Sequence, residues 1–425
     1  MTNPYAVRTL RLSSGERLPV LIDTRVGMPL FAPTVYSLTQ LRGRNLAANT
    51  IEQSLRHIIV LLLFLEQRGI DIETRFQEGR LVDLAEIESL ANACSLHLAD
   101  IDAAEGQKAG AKPARMPSLE RLRMLRSNAG AKTVDAASAA NRVRGIADYL
   151  SWLVKSHLLK LSASSSSFQA LESTRQMVIQ ALLARAPSHR SRNVVAAREG
   201  LPPETAARLL KVTAKNSPEN PWTGEFIKLR NELLFRWLYS FGLRRGELLN
   251  VKVSDISFQK ETVTIVRRAD APEDPRKEQP TVKTRDRVLP IPSDLCRLTH
   301  DYVLHGRRHL TGARKHEYLF VADKTGAPMS LSALNKCFAF LRTHIPDLPD
   351  DLSPHVLRHT WNDNFSAAMD RMKTPEADEQ KMRSFLMGWS ETSGTAVNYT
   401  RRHVRKRANE VSLLLQSEMT NKNDI

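Results

Sequence analysis

Cysteine, acidic residues and long apolar runs are all scarce in this chain. Its 425 residues include three cysteines, Cys94, Cys296 and Cys337. They are odd in number, far apart and not at metal-ligand spacing. That excludes a disulfide framework and a thiolate metal site, and leaves reduced core thiols. The longest apolar run, residues 58–65, falls well short of the ~20 residues that span a bilayer. With polar flanks and helical spacing it reads as a buried core helix. No apolar stretch of the kind that marks a secretory signal follows the N-terminus, so a cytoplasmic protein with no membrane partner is expected. Acids are the most informative shortage: 46 Asp and Glu stand against 62 Lys and Arg, a formal charge of +16. Such a surplus attracts a polyanion, nucleic acid before an anionic membrane, although a merely basic solvated surface has the same composition.

The rest of the composition is that of a globular protein, 42% hydrophobic and 25% charged, long enough for at least two cores. Residues 6–12, 13–16 and 17–23 read as strand, turn and strand. Asn49-Thr50 then offers a cap for a helix with apolar residues from Ile51 to Leu65, stopped by Gly69. Further helices are expected over 81–98, 136–155 and 168–183, with a serine run at 164–167 as a break. Between them, residues 108–132 are rich in Lys, Arg, Gly and Ala and contain one acid, Glu120. That composition suits either a phosphate-facing segment, with Lys112 and Arg115, or an inert linker. The basic, proline-containing stretch from Arg185 through Arg190 and Arg192 reads as an interdomain linker. The division is therefore a helical first domain over 1–184 that opens with a β-hairpin, a linker over 185–200 and a second domain over 201–425.

In the second domain, helices are expected at 203–214 and 225–241. Residues 262–266 and 287–291 are β-like and flank a polar excursion containing Pro272, Pro275 and Pro280. From Pro292 to Gln416 the chain reads as mainly helical, closing with an amphipathic helix over 408–419. The fold class is thus mainly α with a small β-sheet.

Several residues of this second half suit phosphodiester chemistry. A guanidinium holds two phosphate oxygens at once and stays charged throughout a reaction. Arg244 follows Gly242-Leu243 and precedes Glu247 by one turn; Glu247 can orient it or cap the helix, or the two can be an ordinary surface pair. His355 and Arg358 are three apart and share one helical face, and His359 can be a core histidine that supports Arg358. Trp389 has an indole N–H that donates but cannot transfer a proton. Tyr399, in a basic run with Arg401 and Arg402, is a candidate nucleophile or a DNA-contacting aromatic. A phenol of pKa ~10 needs a base or nearby positive charge to attack. The 5′ alkoxide it would release needs an acid, for which Lys283 on the hairpin excursion competes with Lys277.

Taken together and in order, Gly242-Leu-Arg-Arg-Gly-Glu-Leu248, Lys283 before Leu289-Pro290, His355 to Thr360, Met387-Gly-Trp389 and Tyr399 resemble the tyrosine recombinases of the phage integrase family. The resemblance covers the second domain. It implies that Arg244 and Arg358 clamp the scissile phosphate and that Lys283 protonates the leaving oxygen. His355 would assist proton transfer, Trp389 would hydrogen-bond the phosphate and Tyr399 would form a 3′-phosphotyrosine link. It further implies duplex DNA as partner, no cofactor and no metal. The two domains would form a C-shaped clamp on DNA, with phosphate contacts from Arg185, Arg190 and Arg192. A homo-tetramer on two DNA sites would be built by exchange of the last helix. The implied activity is integration, excision or transposition; a type IB topoisomerase or a non-catalytic DNA-binding regulator would share much of the pattern. Trp389 stands where most members have histidine, and the excursion before Lys283 is longer than the family's.

Overall fold

The computed structural model describes residues 3–101, 132–188, 200–390, 408 and 411–416. The chain divides into two compact units, Met1–Leu12 with Arg17–Val194, and Ser13–Glu16 with Val195–Ile425. Both are mainly helical, and the described residues include one three-stranded antiparallel sheet in each half of the chain.

In the first half, β1 (Tyr5–Arg11) and β2 (Arg17–Asp23) pair antiparallel from Tyr5 opposite Asp23 to Arg11 opposite Arg17, and β3 (Met28–Pro29) adds a short edge. A short helix, α1 (Phe31–Tyr36), leads to α2 (Ala48–Gln67). By length and composition α2 could cross a membrane. Its apolar residues Ile51, Leu55, Ile58 and Leu63 instead lie buried in one cluster with Val143, Ile146 and Leu150, so it is a core helix. Asn49 and Thr50 fall inside its first turn and do not cap it; Ala47 occupies the cap position without a side-chain bond.

After α3 (Ile72–Gln77) comes α4 (Leu84–Ala93), shorter than its apolar pattern suggests. Asp83 and Glu86 form a reciprocal capping box that sets its start. Asp135 caps α5 (Ala136–Leu158), and Ser165 caps α6 (Ser166–Ala184). The serine run that reads as a break is thus the start signal of the next helix, because a serine hydroxyl satisfies a first-turn N–H.

The second half opens with α7 (Pro203–Thr213), α8 (Glu225–Phe241) and the one-turn α9 (Arg245–Asn250). Strands β4 (Ile256–Ser257), β5 (Thr262–Ile265) and β6 (Arg287–Pro290) form its sheet in that order. Then follow α10 (Ser293–Asp301), α11 (Leu331–His344), α12 (Pro354–Arg371) and α13 (Glu376–Met387). Residues of α8, including Leu233, Leu234, Trp237 and Leu238, form the centre of the core with Phe320, Phe338 and Leu357.

Two features depart from the sequence reading. The span 316–330 is not helical; it contributes isolated bridges, Lys252 to Tyr318 and Val321 to Pro328. The proline-rich excursion between β5 and β6 is also not a free loop. Asp274 is fully buried and pairs with Arg276, whose guanidinium donates to the carbonyls of Leu249 and Met329 and lies 4.3 Å from the Tyr318 ring. Burial of that ion pair is tolerated because every prong of the guanidinium finds an acceptor. Near the C-terminus, residues 411–416 are helical, with Val411, Leu413, Leu414 and Leu415 exposed.

Candidate active site

Two left-handed glycines shape the site. Gly242 (φ +57°) ends α8 and turns the chain so that Leu243 is buried and Arg244 begins α9. A Cβ at Gly242 would lie 2.8 Å from the Trp361 ring, so only glycine permits that approach. Gly388 (φ +65°) ends α13 in the same way and sends Trp389 back toward α12.

Glu247 collects the surrounding charges. Its carboxylate accepts the Arg244 backbone N–H at 3.0 Å, closing the start of α9, and the Arg244 Nη1 at 3.3 Å. The Thr284 hydroxyl donates to Oε1 at 2.8 Å, and Arg287 Nη2 donates to Oε2 at 3.1 Å. Arg358 Nη1 stands 3.8 Å from Oε2. Burial alone would push this carboxyl up. The guanidiniums of Arg287 and Arg358, with the Arg244 N–H and the Thr284 hydroxyl, outweigh it and hold the group below the ordinary glutamate value. Glu247 therefore both caps the helix and orients arginines, the two roles its position in sequence left open.

Pro354 opens α12 after the extended Ser353, as a proline does at a first helical position. One turn on, Arg358 points inward: it is 2% exposed, donates to the Gly242 carbonyl at 2.7 Å and lies 5.3 Å from the Trp389 ring. His355 stays exposed on the same turn. Its Nε2 lies 3.1 Å from that of His359, the rings meeting edge to face. His359 is half-buried and is a partner of His355 at the rim. In such a pair one Nε2 donates and the other accepts, so each ring constrains the tautomer of the other.

Arg244, Arg245, His355 and Arg358 line one cleft of about 470 Å³, completed by Asn335, Ser353 and Pro354. Three arginines and the positive N-terminal end of α12 border this space, which suits an anion. Trp389 is buried beside it with Met387 and Trp361. Lys283 is exposed between the buried Val282 and Thr284. The backbone of Thr281 packs against Gly246, where a Cβ would meet its carbonyl at 2.4 Å, and Thr284 bonds Glu247. Lys277, also exposed, follows Arg276 on the buried excursion.

Tyr399, Arg401, Arg402, Arg190, Arg192, Lys112 and Arg115 lie outside the described residues. Arg185 is the residue that ends α6, where it donates to the Ala181 carbonyl and pairs with Glu88 at 3.1 Å. Among the described residues, no three His, Cys, Asp or Glu side chains are grouped to hold a metal ion. The three cysteines are unpaired and buried, and burial pushes the Cys94 thiol up to about 12.

Sequence reasoning missed Arg287 and Thr284. Both belong to the stretch that offered Lys283, but a lone arginine at the start of a strand carries no motif signal. It also missed a second polar hollow of about 490 Å³ in the first half of the chain, where Gln53, Arg56 and His57 of α2 face Asn141, Arg142 and Arg144 of α5.

Residues 200–406 match the phage integrase family model. Tyrosine recombinase XerD of Halalkalibacterium halodurans is 25% identical over 146 residues, 34% of this chain and 42% of that protein. Tyrosine recombinase XerA of Thermococcus onnurineus is 30% identical over 136 residues, 32% of this chain and 40% of that protein. The matched segments thus span about two-fifths of these curated relatives. Among solved structures, the Tn1549 transposon integrase in complex with transposon right end DNA aligns with 90% of this chain and 100% of its own, at 14% identity and a TM-score of 0.48.

Proposed function

We propose, from the match of residues 200–406 to the phage integrase family model and from the likeness to tyrosine recombinases, that the protein cuts and rejoins duplex DNA through a covalent tyrosine link. The observation that carries the reading is the cleft in which Arg244, His355 and Arg358 converge, with Glu247 behind both clamp arginines.

The phenolic oxygen of Tyr399 attacks the scissile phosphorus in line with the P–O5′ bond. That bond breaks as the P–O(Tyr) bond forms, leaving a 3′-phosphotyrosine and a free 5′-hydroxyl. Arg244 and Arg358 neutralise the equatorial oxygens as charge builds on them. His355 takes the phenol proton. Lys283 gives the 5′ oxygen its proton; the contacts of Thr281 and Thr284 with α9 favour it over Lys277. Trp389 contributes an indole N–H and packs the face of Arg358. Attack of a second 5′-hydroxyl on the phosphotyrosine reverses the same bonds. One phosphodiester is exchanged for another of similar energy, so neither nucleotide nor metal is required.

At the molecular level the proposal is site-specific recombination in the integration, excision or transposition of a mobile element. Both domains contact the duplex. Arg190, Arg192, Lys112, Arg115, Arg401 and Arg402 contact its backbone, and four copies assemble on two sites. The exposed leucines of residues 411–416 suit a helix passed to a neighbouring copy.

The experiment is a covalent-capture assay on nicked duplexes drawn from the DNA flanking the coding sequence. Wild-type protein should give an adduct that survives denaturing electrophoresis. Tyr399→Phe should give none while still retarding the duplex in a native gel. Undiminished adduct from Tyr399→Phe would remove Tyr399 from its role.

A further inference from the structure

We propose that Arg287 is a positioning residue that neutralises Glu247 so that Arg244 and Arg358 stay available to an anion in the cleft. The inference rests on the recombinase reading of that cleft and adds a third arginine, one that never meets the ligand.

Arg287 does not line the cleft. Its three side-chain nitrogens are all engaged in hydrogen bonds to protein acceptors. Nη2 donates to Glu247 Oε2 at 3.1 Å, Nη1 to the Thr284 hydroxyl at 3.1 Å and Nε to the Leu386 carbonyl at 2.7 Å. Thr284 in turn donates to the other Glu247 oxygen. Thr284 and Arg287 therefore hold both oxygens of the carboxylate, and neither residue lines the cleft.

The clamp arginines hold Glu247 more loosely. Arg358 Nη1 is 3.8 Å from Oε2, beyond hydrogen-bond distance, and Arg244 Nη1 reaches Oε1 only at 3.3 Å. This division matters because a buried carboxylate must be compensated. With Arg287 present, the three guanidiniums around Glu247 and its one carboxylate leave two positive charges there, beside that of Arg245 in the cleft. Without Arg287 one positive charge remains there, and Glu247 must draw Arg358 and Arg244 toward itself and away from the cleft. The same guanidinium, through Leu386, ties β6 to the end of α13 just before Trp389, so the counter-ion and the Trp389 turn share one anchor.

The test uses the full chain and inorganic phosphate as probe, followed by ³¹P line broadening, with a thermal melt for every variant. Arg287→Met should weaken phosphate binding by roughly tenfold, a coupling of ordinary size for one buried charge pair. Arg287→Lys, which keeps the charge, should retain most of the binding. Arg287→Met combined with Glu247→Gln should recover it, because the uncompensated carboxylate is gone. A merely structural role predicts no such recovery, and a double variant as weak as Arg287→Met overturns the proposal. Phosphate binding by Arg287→Met equal to wild type also overturns it. Should Arg287→Met fail to fold, the lysine and double variants decide by the same criteria. If wild-type protein forms the Tyr399 adduct while Arg287→Met binds phosphate normally, only this proposal falls. If wild type neither binds phosphate nor forms an adduct, the recombinase reading falls and takes the proposal with it.

Discussion

Arg244 and Arg358 reach one cleft by different routes, and the difference decides what each loses on substitution. The Arg244 side chain is one-third exposed and hangs from the start of α9. Arg358 is buried and satisfies the Gly242 carbonyl. Replacing either by alanine should slow single-turnover cleavage by ~10²-fold or more, the usual loss for a donor to transition-state charge. Only Arg358→Ala should also cost about 1–3 kcal/mol in chemical denaturation, because it strands a buried carbonyl. Equal stability losses in the two variants would contradict this account of their surroundings. At this scale the sequence was informative where chemistry and local spacing coincide. His355 and Arg358 lie on one helical turn, so their shared face follows from the helix period alone. The Glu247 network was not legible, because Thr284 and Arg287 lie on a different element and nothing local links them to it.

At the scale of elements, the site depends on where α8 and α13 stop. Alanine at Gly242 or Gly388 would meet both a left-handed backbone and a Cβ within 2.8 Å of neighbouring atoms, the Trp361 ring in one case and the Arg285 carbonyl and Arg287 guanidinium in the other. Each should cost ~2 kcal/mol or more, measured by denaturant titration, and should slow cleavage through displacement of Arg244 or Trp389. In the first half of the chain, His57 of α2 offers a pH test. Burial, with the Arg142 charge beside it, lowers its pKa from 6.5 to about 4. The unfolded chain therefore takes up the proton first as pH falls, and stability is lost progressively from about pH 6.5 to about pH 4. His57→Leu should lose less stability than wild type across that window in chemical denaturation at matched pH. An equal loss would mean that His57 is already solvated. Most helices were legible from periodicity, and α8 matches its expected bounds. The start of α4 and the extended span 316–330 were not. A capping box overrides an apolar pattern by satisfying specific N–H groups, and isolated bridges depend on partners far away in sequence.

For the whole molecule, a charge of +16 together with the proposed recombinase function predicts DNA affinity that falls steeply with salt, by roughly 0.9 log units per log unit of salt for each phosphate neutralised. Arg144 is exposed at the polar hollow between α2 and α5, whereas Arg185 is occupied by Glu88 and the Ala181 carbonyl. In fluorescence anisotropy across a salt series, Arg144→Ala should reduce the slope by about one phosphate contact, and Arg185→Ala by less. The opposite ranking would mean that the Glu88 pair opens on DNA. Amino-acid order alone determined the surplus of positive charge, the helical class and the identity of the arginines, histidine, tryptophan and candidate tyrosine. Those follow from composition and from periods of a few residues, which a linear chain displays directly. Only the tertiary structure decided that Glu247 binds Arg287 and Thr284, that the hairpin excursion is pinned by Asp274 and Arg276, and that His359 partners His355 at the rim. The first two join separate elements through buried charges, and the third depends on which face of α12 the core leaves open. Neither condition exists until the chain has folded around it.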